Sequence, residues 1–263
     1  MIIQGIKKLL KVPYLKYKNY ILNNEYKRNF EEVTVFNIRF KTLIGTFHSN
    51  LDYDDAWLFY LSKNASVIYD VGCHMGKSAL LISQSKSLKK MVLIDPNPLS
   101  LSKAAENLIF NNVVQDAIFI TKAAFNKSGE KIRLWTMPGP FSGASINKNF
   151  TESGMITQNY FNVETISLDD LAMNNGTYPD LVKIDVEGAE YSVLQGATEI
   201  AKKGIAFFLI EVHSCDDMSI VENTQLILNW CDSVNYKAYY LCEHTEITDY
   251  QIYHWFPIYH IQS

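Results

Sequence analysis

One pattern recurs along the chain and narrows the folds open to it. A short run of Val, Ile, Leu and Phe ends in an acid or a glycine, and an amphipathic segment follows. Ser66–Val71, Met91–Asp95, Ala117–Thr121, Leu181–Asp185 and Ile205–Val212 are such runs, with helical periodicity over about Gly76–Ser85 and Leu99–Phe110. Strands buried on both faces lose the in/out alternation of a one-sided sheet and read as unbroken apolar runs. Strands alternating with helices therefore predict an α/β fold, a mostly parallel sheet flanked by helices. In such sheets ligands bind outside the carboxyl ends of the strands, which makes every strand-end residue a site candidate.

The flanks are less regular. Val33–Phe40 and Leu43–Phe47 alternate and predict a small hairpin, and Tyr53–Leu61 follows an acidic start as a short helix. Lys131–Trp135 reads as an additional strand or edge hairpin, and 136–163, rich in Gly, Ser, Asn, Pro and Thr, as a long loop that is functional or mobile. Ala238–Cys242 and Ile252–Ile258 are expected to close the sheet, with a turn at Glu246–Asp249. No repeat or linker interrupts the pattern, so the expected organisation is an extension over 1–50 and one catalytic domain over 51–263.

With 263 residues, 48% of them hydrophobic, the chain is long enough for one large core. A net charge of −4 offers no long-range attraction to nucleic acid phosphates. Cys73, Cys215, Cys231 and Cys242 form no C-x-x-C pair and read as reduced thiols of a cytoplasmic protein; Cys242 and His244 alone do not make a zinc site. No apolar stretch has the length of a membrane span. The N-terminal segment carries Lys7, Lys8, Lys11, Lys16 and Lys18 among Ile, Leu and Tyr, without a signal peptide's apolar core. It reads as an amphipathic arm lying on its own domain, or as a peripheral contact with a membrane surface or an anionic glycan.

The first strand runs into Asp70, Gly72 and Gly76, giving D-x-G-x-x-x-G with His74 inside the turn and Ser78 in the first helical turn. This is not the dinucleotide fingerprint. Glycine permits a tight turn and close ligand approach, the helix start offers free N–H groups, and the acid suits a positive group such as an ammonium. The second strand ends L-I-D-P-N-P, placing Asp95 and Pro96 one strand-helix-strand unit further on. An acid there accepts hydrogen bonds from ribose hydroxyls, or else caps the next helix together with Asn97. After the third strand, Ala123 and Ala124 leave room for a flat base, or for helix–sheet packing.

The fourth strand gives D-V-E-G-A-E at Asp185–Glu190, and the fifth ends E-V-H at Glu211–His213. Alternation puts Glu211 and His213 on one face, and Asp185 and Glu187 on one face if their strand continues. Three carboxylates and an imidazole converging at one sheet edge are candidates for acid–base work, since burial and like charge shift their pKa values. Asp185 is the foremost catalytic candidate, Glu187 reaches the cleft or caps a helix, and Glu190 reads as helix-dipole compensation and solvation.

DVGCHMG, LIDPNP, VETISLDDL and LVKIDVEGAEYSVLQGA together resemble the FkbM-type family of S-adenosylmethionine-dependent methyltransferases, over roughly Val67–His213. The resemblance implies the class I methyltransferase (Rossmann-like) fold, a seven-stranded sheet whose last strand is antiparallel. It implies S-adenosyl-L-methionine as methyl donor and hydroxyl acceptors on sugars, glycans or related small molecules. It places Asp70, Gly72 and Gly76 at the methionine end, Asp95 on the ribose and Asp185 facing cofactor and acceptor. Cys73-His74 stands where the family often has Ala-Asn, so His74 faces either the cofactor or the acceptor.

Methyl transfer from a sulfonium is an in-line displacement, helped by alignment and by a base for the poorly nucleophilic hydroxyl. His213 or Asp185 is the candidate base, with Glu187 and Glu211 orienting; a divalent metal held by the same acids is the alternative. Two other readings are an RNA methyltransferase, disfavoured by the charge and by D-V-E-G where a base-binding N-P-P-Y would stand, and a non-enzymatic membrane-recruited binding module.

Overall fold

The computed structural model describes residues 30–47, 53–136, 144–145, 160–215, 218–240, 245–246 and 258–262. The lysine-rich segment, Cys242, His244 and most of 136–159 lie outside them. The element order is β1 (Phe30–Val35), β2 (Ile38–Leu43), α1 (Tyr53–Ser62), β3 (Val67–Val71), α2 (Lys77–Ile82), β4 (Lys90–Ile94), α3 (Pro98–Phe110) and β5 (Ala117–Ile120). There follow β6 (Ala123–Ala124), β7 (Lys131–Thr136), β8 (Ala144–Ser145), β9 (Tyr160–Ile166), α4 (Leu168–Asn175), β10 (Leu181–Ile184), α5 (Glu190–Gln195) and α6 (Thr198–Lys202). Then come β11 (Phe207–Glu211), α7 (Ile220–Ser233), β12 (Lys237–Tyr240), β13 (Thr245–Glu246) and β14 (Ile258–Gln262).

The central sheet has the order β13-β12-β14-β11-β10-β3-β4-β5. Five neighbours, β11 to β5, run parallel, and β14 lies antiparallel between β11 and β12. The α/β architecture is as expected. The strand count is eight rather than seven, because the two-residue β13 adds an edge beyond β12. The described closing strand is Ile258–Gln262, downstream of the expected Ile252–Ile258. The chain winds outward from β3 through β4 to β5, then returns to β10 on the other side of β3. The carboxyl ends of β3 and β10 thus flank the switch point where a ligand crevice opens.

Alternation divides the core. Tyr69, Val71, Val182, Ile184, Phe208 and Ile210 face one side. Ile68, Leu181 and Leu209 face the other, under Leu58 of α1, Leu80 of α2 and Leu101 of α3. Asp70, Lys183 and, by continuation, Asp185, Glu211 and His213 share that second face, because Lys183 is in register with Asp70 and Ile184 with Ile210.

The hairpin exists, but its turn falls at Phe36–Asn37, so its strands are β1 and β2 rather than Val33–Phe40 and Leu43–Phe47. Both turn residues have positive φ, 49° and 63°, as a two-residue type I′ turn requires. Phe36 stacks on Phe59 of α1 at 4.7 Å, a contact that accompanies its unusual backbone. Val35 and Phe40 enter the domain core, and Asn107 of α3 binds Leu43 N–H, Thr46 Oγ1 and Met75 O, so the described part of 1–50 packs into the same core.

The expected loop 136–163 is also partly sheet. β9 pairs antiparallel with β7 and parallel with β6 in a smaller four-stranded sheet, with Leu134, Val163 and Ala123 at its centre. The described cysteines, Cys73, Cys215 and Cys231, are free. No helix among the described residues is long and apolar enough to cross a membrane.

Candidate active site

At the end of β3 the two glycines answer to the protein's own packing. Gly72 has φ +82°, and a Cβ there would lie 1.7 Å from the Asp185 carbonyl oxygen of the adjacent β10 end. Gly76, φ +83°, lets α3 approach: its Cβ would sit 2.9 Å from that of Ala104. Between them the exposed His74 also takes a positive φ, 44°, which turns its N–H onto Asp95 Oδ2 at 2.9 Å.

Asn97 N–H donates to the other Asp95 oxygen, at 2.8 Å, while the Asn97 side chain caps α3 through Leu99 N–H. Asp95 is therefore a buried acceptor tying two turns together. Burial pushes its carboxyl up to about 6 against those two N–H donors, with Asp70 and Asp185 adding to the rise. Each oxygen keeps a lone pair for a further donor. Pro96, half-buried, follows it.

Asp70 is fully buried, and Ser78 Oγ donates to its Oδ2 at 2.5 Å. Its Oδ1 has no hydrogen-bond partner, an exception that calls for a ligand or a charge nearby. Burial raises this carboxyl above its usual range, opposed by Lys183 and Ser78. Ala123 sits apart, buried in the core of the smaller sheet.

The second half of the site lies where β10 and β11 end. Asp185 follows the last residue of β10 and receives Lys183 Nζ at 3.0 Å; the same ammonium stands 4.0 Å from Asp70 Oδ1. Lys183 was not singled out from the sequence, although a lone lysine in the apolar run L-V-K-I-D is itself a signal of a buried charge partner. Burial opposes its charge, but Asp185, Asp70 and Glu211 outweigh that and hold its pKa well above the usual value.

Beyond Asp185 the strand does not continue to Glu187 as one reading required. Glu187 and Gly188 form a turn with φ 55° and 99°. That turn still delivers Glu187 to the cluster, with Oε2 3.9 Å from His213 Nε2. Glu211 Oε1 lies 3.4 Å from the same nitrogen, so four of the anticipated residues meet. Asp185, Glu211 and His213 each present one ligand atom, all within 4.8 Å of one another, a set able to hold a cation.

Glu190 departs most from expectation. It is not a solvated helix-dipole residue: it is fully buried, and accepts from Gly188 N–H (2.9 Å), His213 Nδ1–H (3.1 Å) and Asn223 Nδ2–H (2.7 Å). Asp54 of α1 is a second residue missed. Burial and its neighbour Asp55 lift its carboxyl to about 6, and it feels the charges of Glu211 and Lys183 across the helix–sheet interface.

These surroundings separate the acids and the imidazole by charge state. Burial disfavours imidazolium, yet hydrogen bonds to Glu190 and Glu211 and the charges of Glu187 and Asp185 raise His213 to about 11. Asp185 would be raised by burial, but Lys183 and His213 outweigh it and hold it below its usual value. These surroundings favour a protonated His213 and an ionised Asp185. Glu187 differs. Burial, with Asp185, Glu211 and Glu190 nearby, pushes it up to about 7 against the pull of His213, while 41% of its side chain stays exposed.

The family described as the methyltransferase FkbM domain matches residues 70–238. Hexuronic acid methyltransferase AglP of Haloferax volcanii is 28% identical over 154 residues, which span 58% of this chain and 58% of that protein. Cofactor-bound Rv0187 from MTB superposes with a TM-score of 0.50 at 14% identity, covering 81% of each chain, a likeness of fold. The methyltransferase FkbM of Methylobacillus flagellatus KT covers 75% of this chain and 44% of its own at 15% identity, with a TM-score of 0.49.

Proposed function

The chain belongs to the methyltransferase FkbM domain family, which matches well over half its length, and from that premise we propose that it is an S-adenosylmethionine-dependent O-methyltransferase acting on a hydroxyl of a sugar or glycan. The saccharide class draws support from the hexuronic acid methyltransferase of Haloferax volcanii, of whose length this chain covers 58%. The observation that carries the chemistry is the placement of Glu187, a partly exposed carboxylate that the turn after β10 sets 3.9 Å from His213 Nε2, where burial and the neighbouring acids lift it to about 7.

The residues fit the cofactor. Asp70 Oδ1, buried and without a hydrogen-bond partner, and the spare lone pairs of Asp95 are acceptors at adjacent strand ends. Asp70 would bind the ammonium and Asp95 the ribose hydroxyls, with Gly72, His74, Gly76, Ser78 and Pro96 as further proposed contacts. The cofactor supplies an electrophilic methyl group.

Glu187 accepts the hydroxyl proton as the oxygen attacks, because a base poised near the working pH combines the right protonation state with useful strength. His213, kept cationic, stands 3.9 Å from Glu187 and 3.4 Å from Glu211 and orients both. Asp185, held ionised by Lys183, fixes the strand-end beside Gly72 and faces cofactor and acceptor. A second reading rests on the convergence of Asp185, Glu211 and His213: a divalent metal there would lower the hydroxyl pKa, and its binding would displace the imidazole proton.

The test is transfer of labelled methyl from S-adenosylmethionine to a panel of neutral and uronic-acid-containing saccharides. The wild type is expected to label a saccharide, with kcat rising as pH passes through about 7. Glu187→Gln is expected to lose that limb and roughly 10²–10⁴-fold in kcat. Labelling of RNA in place of every saccharide, or undiminished turnover by the variant, would overturn the assignment.

A further inference from the structure

Behind the residues that face the cleft lies a carboxylate that faces none of it. Glu190, the first residue of α5, has no solvent exposure. Both its oxygens accept from N–H donors: Oε1 from Gly188 N–H and from the His213 ring, Oε2 from Asn223 Nδ2–H. Asn223, itself fully buried in α7, also donates to the His213 carbonyl, at 2.9 Å. One amide thus clamps the carboxylate and the backbone of the histidine it holds. With Oε1 filled as an acceptor, the ring proton at that contact belongs to Nδ1, and Nε2 points at Glu211 and Glu187.

Burying a carboxylate is costly unless its bonds are satisfied. The usual reason to keep one behind a histidine is to fix ring orientation and tautomer for the atom on the far side. An N-terminal helix acid needed only for the dipole would be served as well at the surface. Glu190 is enclosed instead, and its partners come from three separate segments: the Glu187–Gly188 turn, the end of β11 and α7.

We propose that Glu190, clamped by Asn223, is the positioning residue of the site: it holds the His213 ring through Nδ1 so that Nε2 is presented to Glu187 and Glu211. The consequence for turnover rests on the methyl-transfer reading above. The positioning itself does not, so the two can fail separately. Glu190 touches neither cofactor nor acceptor. It acts through the imidazole, which passes a buried fixed point to Glu187 and Glu211 at the ends of β10 and β11.

The experiment is nitrogen-15 and proton NMR of the histidine rings in the full chain, for wild type, Glu190→Gln and Asn223→Ser, with S-adenosylhomocysteine binding by calorimetry on the same samples. In the wild type the His213 Nδ1–H is expected as a downfield, slowly exchanging resonance, assigned by its loss in His213→Gln. Glu190→Gln, which keeps the shape but removes the charge, is expected to shift it upfield and speed its exchange, while cofactor-product affinity stays within about twofold. Asn223→Ser leaves the carboxylate in place and removes its clamp; it is expected to move the resonance in the same direction by less, and it decides the matter should Glu190→Gln fail to fold. A resonance absent from the wild type, or unmoved in the folded variants, overturns the proposal. Absence of product binding by the wild type would count against the enzymatic reading alone and leave the ring resonance to judge Glu190.

Discussion

Lys183→Met offers a sharp test of the electrostatic frame beneath the site. The lysine side chain is 10% exposed and lies 3.0 Å from Asp185 and 4.0 Å from Asp70, whose carboxylate is fully enclosed. Methionine fills nearly the same volume, so the change removes charge with little cavity. Removing one partner of a buried pair leaves an uncompensated charge and typically costs about 3–5 kcal/mol. That loss is expected in urea denaturation at about pH 7.5. The sign with pH follows from linkage. Asp70 already has a raised pKa in the folded state, and loss of Lys183 raises it further and releases Asp185 from the charge that holds it below its usual value. A carboxyl bound more tightly to its proton when folded destabilises the fold above that pKa and is relieved as pH falls through it. The variant's penalty is therefore expected to shrink towards pH 5. A penalty under about 1 kcal/mol, or one unchanged between the two pH values, would refute the placement of Lys183 as the counter-charge of this strand end.

Two further outcomes follow. His213 is raised from 6.5 to about 11, so its contribution to stability is complete below its unfolded value and is lost as pH rises towards 11. Between about pH 7.5 and 8.5, above Glu187 and below the thiols and phenols, denaturation free energy should fall by up to about 1.4 kcal/mol per pH unit, and His213→Gln should flatten the slope. Gly72→Ala would place a methyl carbon 1.7 Å from the Asp185 carbonyl oxygen at a positive φ. It is expected to yield little soluble protein, and a variant as stable as wild type by thermal denaturation would contradict that packing.

The parallel sheet was legible because its central strands are buried on both faces, and such strands leave apolar runs with little competing pattern. The regions that were misread have local reasons. The Phe36–Asn37 turn uses positive φ without glycine, so the usual hairpin signal is missing and the register slips. β9 carries a period-two burial pattern over Tyr160–Thr165, but the polar stretch before it drew its first residues into a supposed loop.

At the site, Asp185, Glu187, Glu211 and His213 meet because strand-end logic survives folding. Their charge states were not legible, since they depend on Lys183 and Glu190, buried charges whose partners lie on other elements. Asp54 was hidden for the same reason: only the packing of α1 over β10 brings it near Glu211 and Lys183.

The central claim is that the adjacent ends of β3, β4 and β10 form an adenosyl cofactor site. Its most direct test is calorimetry with S-adenosylhomocysteine on wild type and Asp95→Ala. The wild type is expected to bind one equivalent, and the variant, which loses the acceptors offered to the ribose, to bind at least about tenfold more weakly, the equivalent of about 1.4 kcal/mol. No binding to the wild type, or equal binding to both, would contradict the account.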